Sequence, residues 1–234
     1  MKASPSATER ASFVRRMFAT ISGRYDLMNR LMTFGQDVAW RREVVTRVQL
    51  PTAGRFLDLG AGTGDLGLEV LRRDPRVQVV AADFTPEMMQ VGRRRPGGRQ
   101  IRWVAADAHR LPFAADTFDG VASGYLLRNV ADLAGTLAEQ RRVLRPGKNA
   151  LSLDTTPPAR DIFLPLLKVY LHTLIPWLGR LVTGSRLAYT YLPNSTESFL
   201  PAEDLAQLWR ATGFARVGFR RRMLGTMAIH WGAK

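Results

Sequence analysis

Acids, glycines and one arginine recur in this chain at intervals that could hold a small cationic ligand. The apolar run Phe56-Leu57 leads into Asp58, and three glycines then alternate at Gly60, Gly62 and Gly64 ahead of a helical pattern starting near Leu66. That order reads as strand, tight turn and helix, with a ligand lying over the turn. A dinucleotide turn would want glycine at position 65, where this chain has Asp65. A pyrophosphate would also be repelled by two carboxylates, Asp58 and Asp65, around a helix N-terminus. A cation tolerates both acids. S-adenosylmethionine (SAM), with a sulfonium, an ammonium and no phosphate, suits the turn.

The elements that must position these residues alternate between strand and helix. A second strand, Val77 to Asp83, again ends in an acid, about 20 residues past the glycine turn, where a carboxylate accepts both hydroxyls of a ribose. A third, Ile101 to Ala105, is followed by Asp107, placed to accept from an adenine amino group. A fourth, Gly120 to Ser123, leads to Arg128. A helix over Leu133–Leu144, a turn at Pro146-Gly147 and a fifth strand, Ala150 to Asp154, follow. Phe214 to Phe219 and Met223 to Trp231 read as a closing antiparallel hairpin. This alternation predicts an α/β fold with a doubly wound, mostly parallel seven-stranded sheet, whose ligands sit at the carboxyl ends of the strands.

The 234 residues are read as a single domain over 1–234, with a loose tail at 1–12 and an apolar lid or insert at 155–200. Residues 10–48 read as amphipathic helices interrupted at Gly23 and Gly35. Ile162 to Val182 is strongly apolar. Pro165, Lys168, His172, Pro176 and Arg180 argue against a membrane span there and favour a cover over the site or an interfacial helix pair. There is no cysteine, and the three histidines are far apart in sequence, so no metal site is expected. The start shows no signal-peptide pattern, and the expected location is the cytoplasm. The net charge of +14 is spread as short arginine clusters. It fits a solvated surface, or peripheral contact with an anionic membrane at its inner face. No basic stripe with interleaved aromatics is present, so no nucleic-acid partner is expected.

Tyr25-Asp26-Leu27-Met28-Asn29, Trp40-Arg41, Leu57 to Asp65, Ala82-Asp83-Phe84, Asp107-Ala108, Leu127-Arg128-Asn129-Val130 and Tyr189-Thr190-Tyr191-Leu192 together resemble the menaquinone/ubiquinone C-methyltransferase family of class I SAM-dependent methyltransferases. The resemblance covers nearly the whole chain. It implies methyl transfer from SAM to the ring carbon of a polyprenylated quinol, and leaves a homodimer open. Asp58, Gly60, Gly62, Thr63, Gly64, Asp83, Phe84, Asp107 and Ala108 would then bind the cofactor, and Tyr25, Asn29, Arg128, Asn129 and Tyr189 the acceptor. Arg128 would stabilise a phenolate, Asp65 act as general base and Tyr25 orient a water or the quinol oxygen. Four stretches depart from the family pattern: Gly124, Leu126, Lys148-Asn149 and Asp154-Thr155-Thr156. A methyltransferase of another apolar or aromatic acceptor, or a basic SAM- or RNA-binding protein without turnover, are the alternatives.

Overall fold

The structure is a computed structural model that describes residues 7–157, 169–183 and 195–234. Its strands are β1 (Arg55–Leu59), β2 (Gln78–Asp83), β3 (Arg102–Ala105), β4 (Phe118–Gly124), β5 (Leu144–Thr155), β6 (Ala215–Arg222) and β7 (Met227–Ala233). They form one sheet in the order β3-β2-β1-β4-β5-β7-β6. The first five run parallel, and β7 lies antiparallel between β5 and β6. Side chains alternate across the sheet, as the period of two requires. Phe56 faces a core that includes Val44, Val48, Val70 and Val79, while Leu57 and Leu59 face one built on Leu137, Leu205 and Trp209.

Eight helices are described: α1 (Ala7–Ile21), α2 (Tyr25–Met32), α3 (Gln36–Val48), α4 (Asp65–Arg73), α5 (Pro86–Arg94), α6 (Leu133–Val143), α7 (Ile175–Thr183) and α8 (Ala202–Ala211). Gly35 takes φ +74 at the N-cap of α3, which is why α2 stops where it does. Met17, Ile21, Met28, Met32 and Ile175 form a third core that ties α1 and α2 to α7.

Two expectations change. Helix α1 begins at Ala7, inside the stretch read as a loose tail, because Ala7-Thr8-Glu9-Arg10-Ala11 contains good helix formers. The turn at Pro146-Gly147 lies within a longer β5. Leu144 pairs with Phe118 and Asn149 with Gly120, so the residues between them bulge out. Of the apolar stretch 162–182, only 169–182 is described. A π-helical turn, Tyr170–Leu174, runs there into α7, and Pro176, which has no N–H to donate, lies within two residues of that turn. Among the described residues, no helix is long and apolar enough to cross a membrane.

Candidate active site

The glycine turn between β1 and α4 is held by the acids that precede and face it. Asp58 is buried, and its Oδ2 accepts the Gly67 N–H at 2.9 Å. Burial pushes its carboxyl up to about 7. Asp83, at the end of β2, accepts the Gly62 N–H at 2.7 Å on Oδ2 and the Thr85 N–H at 2.7 Å on Oδ1. Burial raises this carboxyl too, against the pull of those backbone donors. Gly60 and Gly64 take φ +64 and +84, and a Cβ on either would fall within 2.8 Å of Leu126 or 2.6 Å of Trp103. The chain here is therefore restricted to glycine, and it leaves a concave backbone surface.

Over this surface opens a cavity. Its walls include Tyr25, Arg41, Thr63, Asp83 and Phe84, with Ala106 and Ala108 on the β3 side. Phe84 stands half-exposed at 46%, with the Arg15 guanidinium 5.7 Å from its ring centre. The acids, the glycine surface and the aromatic ring fit a ligand with cationic groups, a ribose and a flat base. Asp107 does not line this cavity. Its Oδ1 accepts the His109 N–H at 2.9 Å and lies 2.7 Å from His109 Nδ1, so the carboxylate is drawn onto its own loop.

Asp65, expected as a general base, lies in a chain of ion pairs. Its two oxygens sit 2.8 Å from Arg41 Nη2 and 2.8 Å from Arg95 Nη2. Arg41 also pairs with buried Asp37. Arg95 pairs with Asp26 at 3.1 Å, and Asp26 accepts the Thr63 hydroxyl at 2.7 Å. Both Asp65 oxygens are thus engaged by guanidiniums, which suits an anchor better than a proton acceptor. The chain of pairs ties α2 and α3 to the glycine turn.

A second cavity adjoins the first at Tyr125 and includes Asn29, Tyr125, Arg128, Thr155, Tyr170 and Met227 among its walls. Tyr125 lines both cavities. Arg128 is buried, with Nη1 2.7 Å from Asp154 Oδ1 and its N–H donating to Asp154 Oδ2 at 3.3 Å. Burial opposes the charged guanidinium, but Asp154, Tyr25 and Tyr125 together outweigh it and hold Arg128 above the ordinary arginine value. Burial raises the Tyr25 hydroxyl, which Arg128, Asn29 and Arg41 only partly offset, so Tyr25 stays a neutral donor. Asn129 donates from Nδ2 to the Tyr125 carbonyl at 2.8 Å and lines the first cavity. Tyr189 lies outside the described residues.

Tyr25, Asn29, Arg128 and the acids at the ends of β1 and β2 are thus brought around two adjoining cavities. Sequence reasoning gave no site role to Arg41, Arg95 or Tyr125, and touched Thr155 only through the departing stretch Asp154-Thr155-Thr156, read as bearing on the far wall of the acceptor pocket. Arg41 had one available signal, since it falls in the quoted Trp40-Arg41 pair.

The strand order and the acid-lined glycine turn define a class I SAM-dependent methyltransferase fold. Solved structures agree. The [4+2]-cyclase SpnF aligns at TM-score 0.70 and 17% identity over 99% of this chain and 98% of its own. A SAM-dependent methyltransferase of Thermotoga maritima aligns at TM-score 0.66 and 17% identity over 94% and 99%. That one of the two is a cyclase shows that the fold does not by itself fix the reaction. The model of the ubiE/COQ5 methyltransferase family matches residues 5–234, and the chain belongs to that family. The Desulfotalea psychrophila ubiquinone/menaquinone biosynthesis C-methyltransferase UbiE is 49% identical over 94% of this chain and 90% of its own length. The demethylmenaquinone methyltransferase of Deinococcus radiodurans is 40% identical over 97% and 94%.

Proposed function

We propose that the protein is a SAM-dependent C-methyltransferase acting on the ring of a polyprenylated quinol, converting a demethylmenaquinol to a menaquinol. The observation that carries this reading is the junction at Tyr125 of an acid-lined glycine cavity and a cavity built around a buried arginine. When bound, SAM supplies an electrophilic methyl group on a positively charged sulfur. Asp83 would take the ribose hydroxyls, Thr63 and the glycine turn the methionine part, and Phe84 and Ala108 the adenine. Arg41, already lining the cavity, offers its charge to the methionine carboxylate.

A ring carbon attacks well only if the neighbouring hydroxyl is ionised, and a phenol with an ordinary value near 10 is mostly protonated at neutral pH. Arg128 lowers that barrier by favouring the phenolate. Asp154 holds the guanidinium in place. Tyr25, kept neutral, donates a hydrogen bond to the same oxygen or to a water beside it. The ring carbon gains the methyl group and gives up its proton, which passes to water.

Membrane contact is part of the same reading. Leu27, Leu31 and Phe34 are exposed on and after α2, and Val169, Leu174 and Trp177 on the segment packed against it. The acceptor cavity is walled by residues of both segments, Met32 and Ile175 among them. A prenyl tail leaving that cavity would meet these side chains, and basic residues nearby such as Arg24 and Arg30 suit anionic lipid. Sedimentation with anionic vesicles at low salt should retain the protein, and passage into the supernatant would remove this part of the reading.

The experiment for the reaction is transfer of labelled methyl from SAM to demethylmenaquinol in detergent, with a benzoquinol precursor in parallel. Label is expected in the demethylmenaquinol. Label in the benzoquinol alone would move the substrate, and label in neither would overturn the reaction.

A further inference from the structure

Two buried hydroxyls belong to residues that line the second cavity and have no partner. The Tyr125 and Thr155 hydroxyls are closed to solvent and make no hydrogen bond among the described residues. Both residues line that cavity. Other buried polar groups also lack partners, among them Gln140, Ser152 and Trp209, but those residues line neither cavity. Leaving a buried donor or acceptor unpaired is costly. Two such groups lining one space mark a site that a ligand completes. The family resemblance assigns nothing to Tyr125 or Thr155.

Both hydroxyls are held firmly. Tyr125 sits at φ +59, a left-handed conformation that a tyrosine rarely adopts. It is fixed there by its N–H, which donates to the Leu153 carbonyl at 2.7 Å, and by its carbonyl, which accepts from Asn129. The Arg128 guanidinium lies 5.2 Å from its ring centre. Strained backbone that the surroundings hold in place gathers at functional sites. Thr155 ends β5, with its N–H on Asp154 Oδ1 at 2.8 Å, one residue from the partner of Arg128.

We propose that the Tyr125 and Thr155 hydroxyls bind the two oxygens of the acceptor ring, Tyr125 on the side of the cofactor cavity and Thr155 on the far side, so that the enzyme selects a two-oxygen ring. The inference rests on the quinol reading above and adds two contacts and a selectivity to it. Burial pushes the Tyr125 hydroxyl well above its ordinary value, so it remains a hydrogen-bond donor throughout the working pH range. A cavity built to hydrogen-bond an oxygen rejects an analogue lacking it far more strongly than an apolar cavity can reject an extra group.

Tyr125→Phe and Thr155→Val each remove a hydroxyl and keep the shape. The full chain and these variants, single and double, are assayed with a short-chain 1,4-naphthoquinol and with the matching naphthol that lacks one oxygen. Binding of each ring is measured alongside. Each single variant should lose about tenfold in kcat/KM for the two-oxygen ring and the double about a hundredfold, with the preference over the naphthol shrinking in step. Tm should hold or rise, because each change removes an unpaired buried group, and SAM affinity should not move. Thr155→Ser should restore most of the loss seen with Thr155→Val. Unchanged kcat/KM and unchanged preference, or a lowered Tm with no rescue by serine, would overturn the assignment. If the wild type methylates neither ring yet binds the two-oxygen ring at least tenfold tighter, and the variants lose that margin, the reaction reading falls and the hydroxyl assignment stands. Equal binding of the two rings by the wild type would end it.

Discussion

The glycine-turn cavity and the cavity beside Arg128 share Tyr125 but are lined by different materials. The first is formed largely by backbone, with N–H groups of the turn and of α4 held by Asp58 and Asp83, and every one of its wall residues lies before position 130. The second is formed by side chains that meet from α2, the end of β4, the end of β5, α7 and the β6–β7 turn. A ligand held by backbone leaves a local pattern in the sequence. A ligand held by convergent side chains leaves scattered residues that only the fold collects.

If the two regions act separately, damage to one should spare the other. Arg128→Ala tests this most severely. It strands the Asp154 carboxylate in the interior, which should cost about 3–5 kcal/mol of stability, and turnover should fall by at least about a hundredfold. SAM affinity should stay within about twofold. Calorimetry and titration of SAM read both, and a collapse of SAM binding would mean that the cavities are one unit. Asp83→Ala is the converse. It removes the acceptor for the Gly62 and Thr85 N–H groups as well as the proposed ribose contact, and the SAM dissociation constant should rise about a hundredfold with quinol binding unchanged. An unchanged constant would cancel the ribose role.

A pH-dependent effect should appear at Asp58. Its folded value of about 7 is above the ordinary carboxylate value near 3.9, so the folded state holds a proton that the unfolded chain has released. Stability from this group is full below about pH 4 and is lost as pH rises through about 7. Asp58→Asn keeps an acceptor for Gly67 and removes the charge. Its advantage in unfolding free energy over the wild type should grow from near zero at pH 4 to roughly 4 kcal/mol at pH 8. A gap that does not vary with pH would show that Asp58 is not the titrating group.

The same division explains what could be read from the sequence. Strand ends with acids, a glycine turn and strand–helix alternation are short-range patterns, and they led to the doubly wound, mostly parallel sheet and to Asp58, Gly62 and Asp83. Asp107 was read by the same pattern, but His109, two residues on, draws the carboxylate away, and that competition is decided by side-chain direction. Asp65 looked like a base because Arg41 and Arg95, which occupy its two oxygens, come from α3 and from the residue after α5. The bulge in β5 was hidden because Pro146-Gly147 is good turn chemistry whether the strand stops or loops out. Tyr125 gave no signal, and Thr155 only that of a stretch departing from the family pattern, since a buried hydroxyl without a partner exists only once the walls around it are in place.

Strand β7 lies between β5 and β6 although it comes after both in the chain. During synthesis, therefore, β5 waits with one open edge, carrying Leu151 and Leu153, until residues 227–233 emerge. An unpaired apolar edge of this kind can join another nascent chain. The glycine-turn cavity has all its wall residues before that point, whereas the cavity beside Arg128 needs Met223, Thr226 and Met227. A growing chain could thus gain protection from the small ligand while its edge is still open, and the ring-binding half is completed by the same strand that closes the edge.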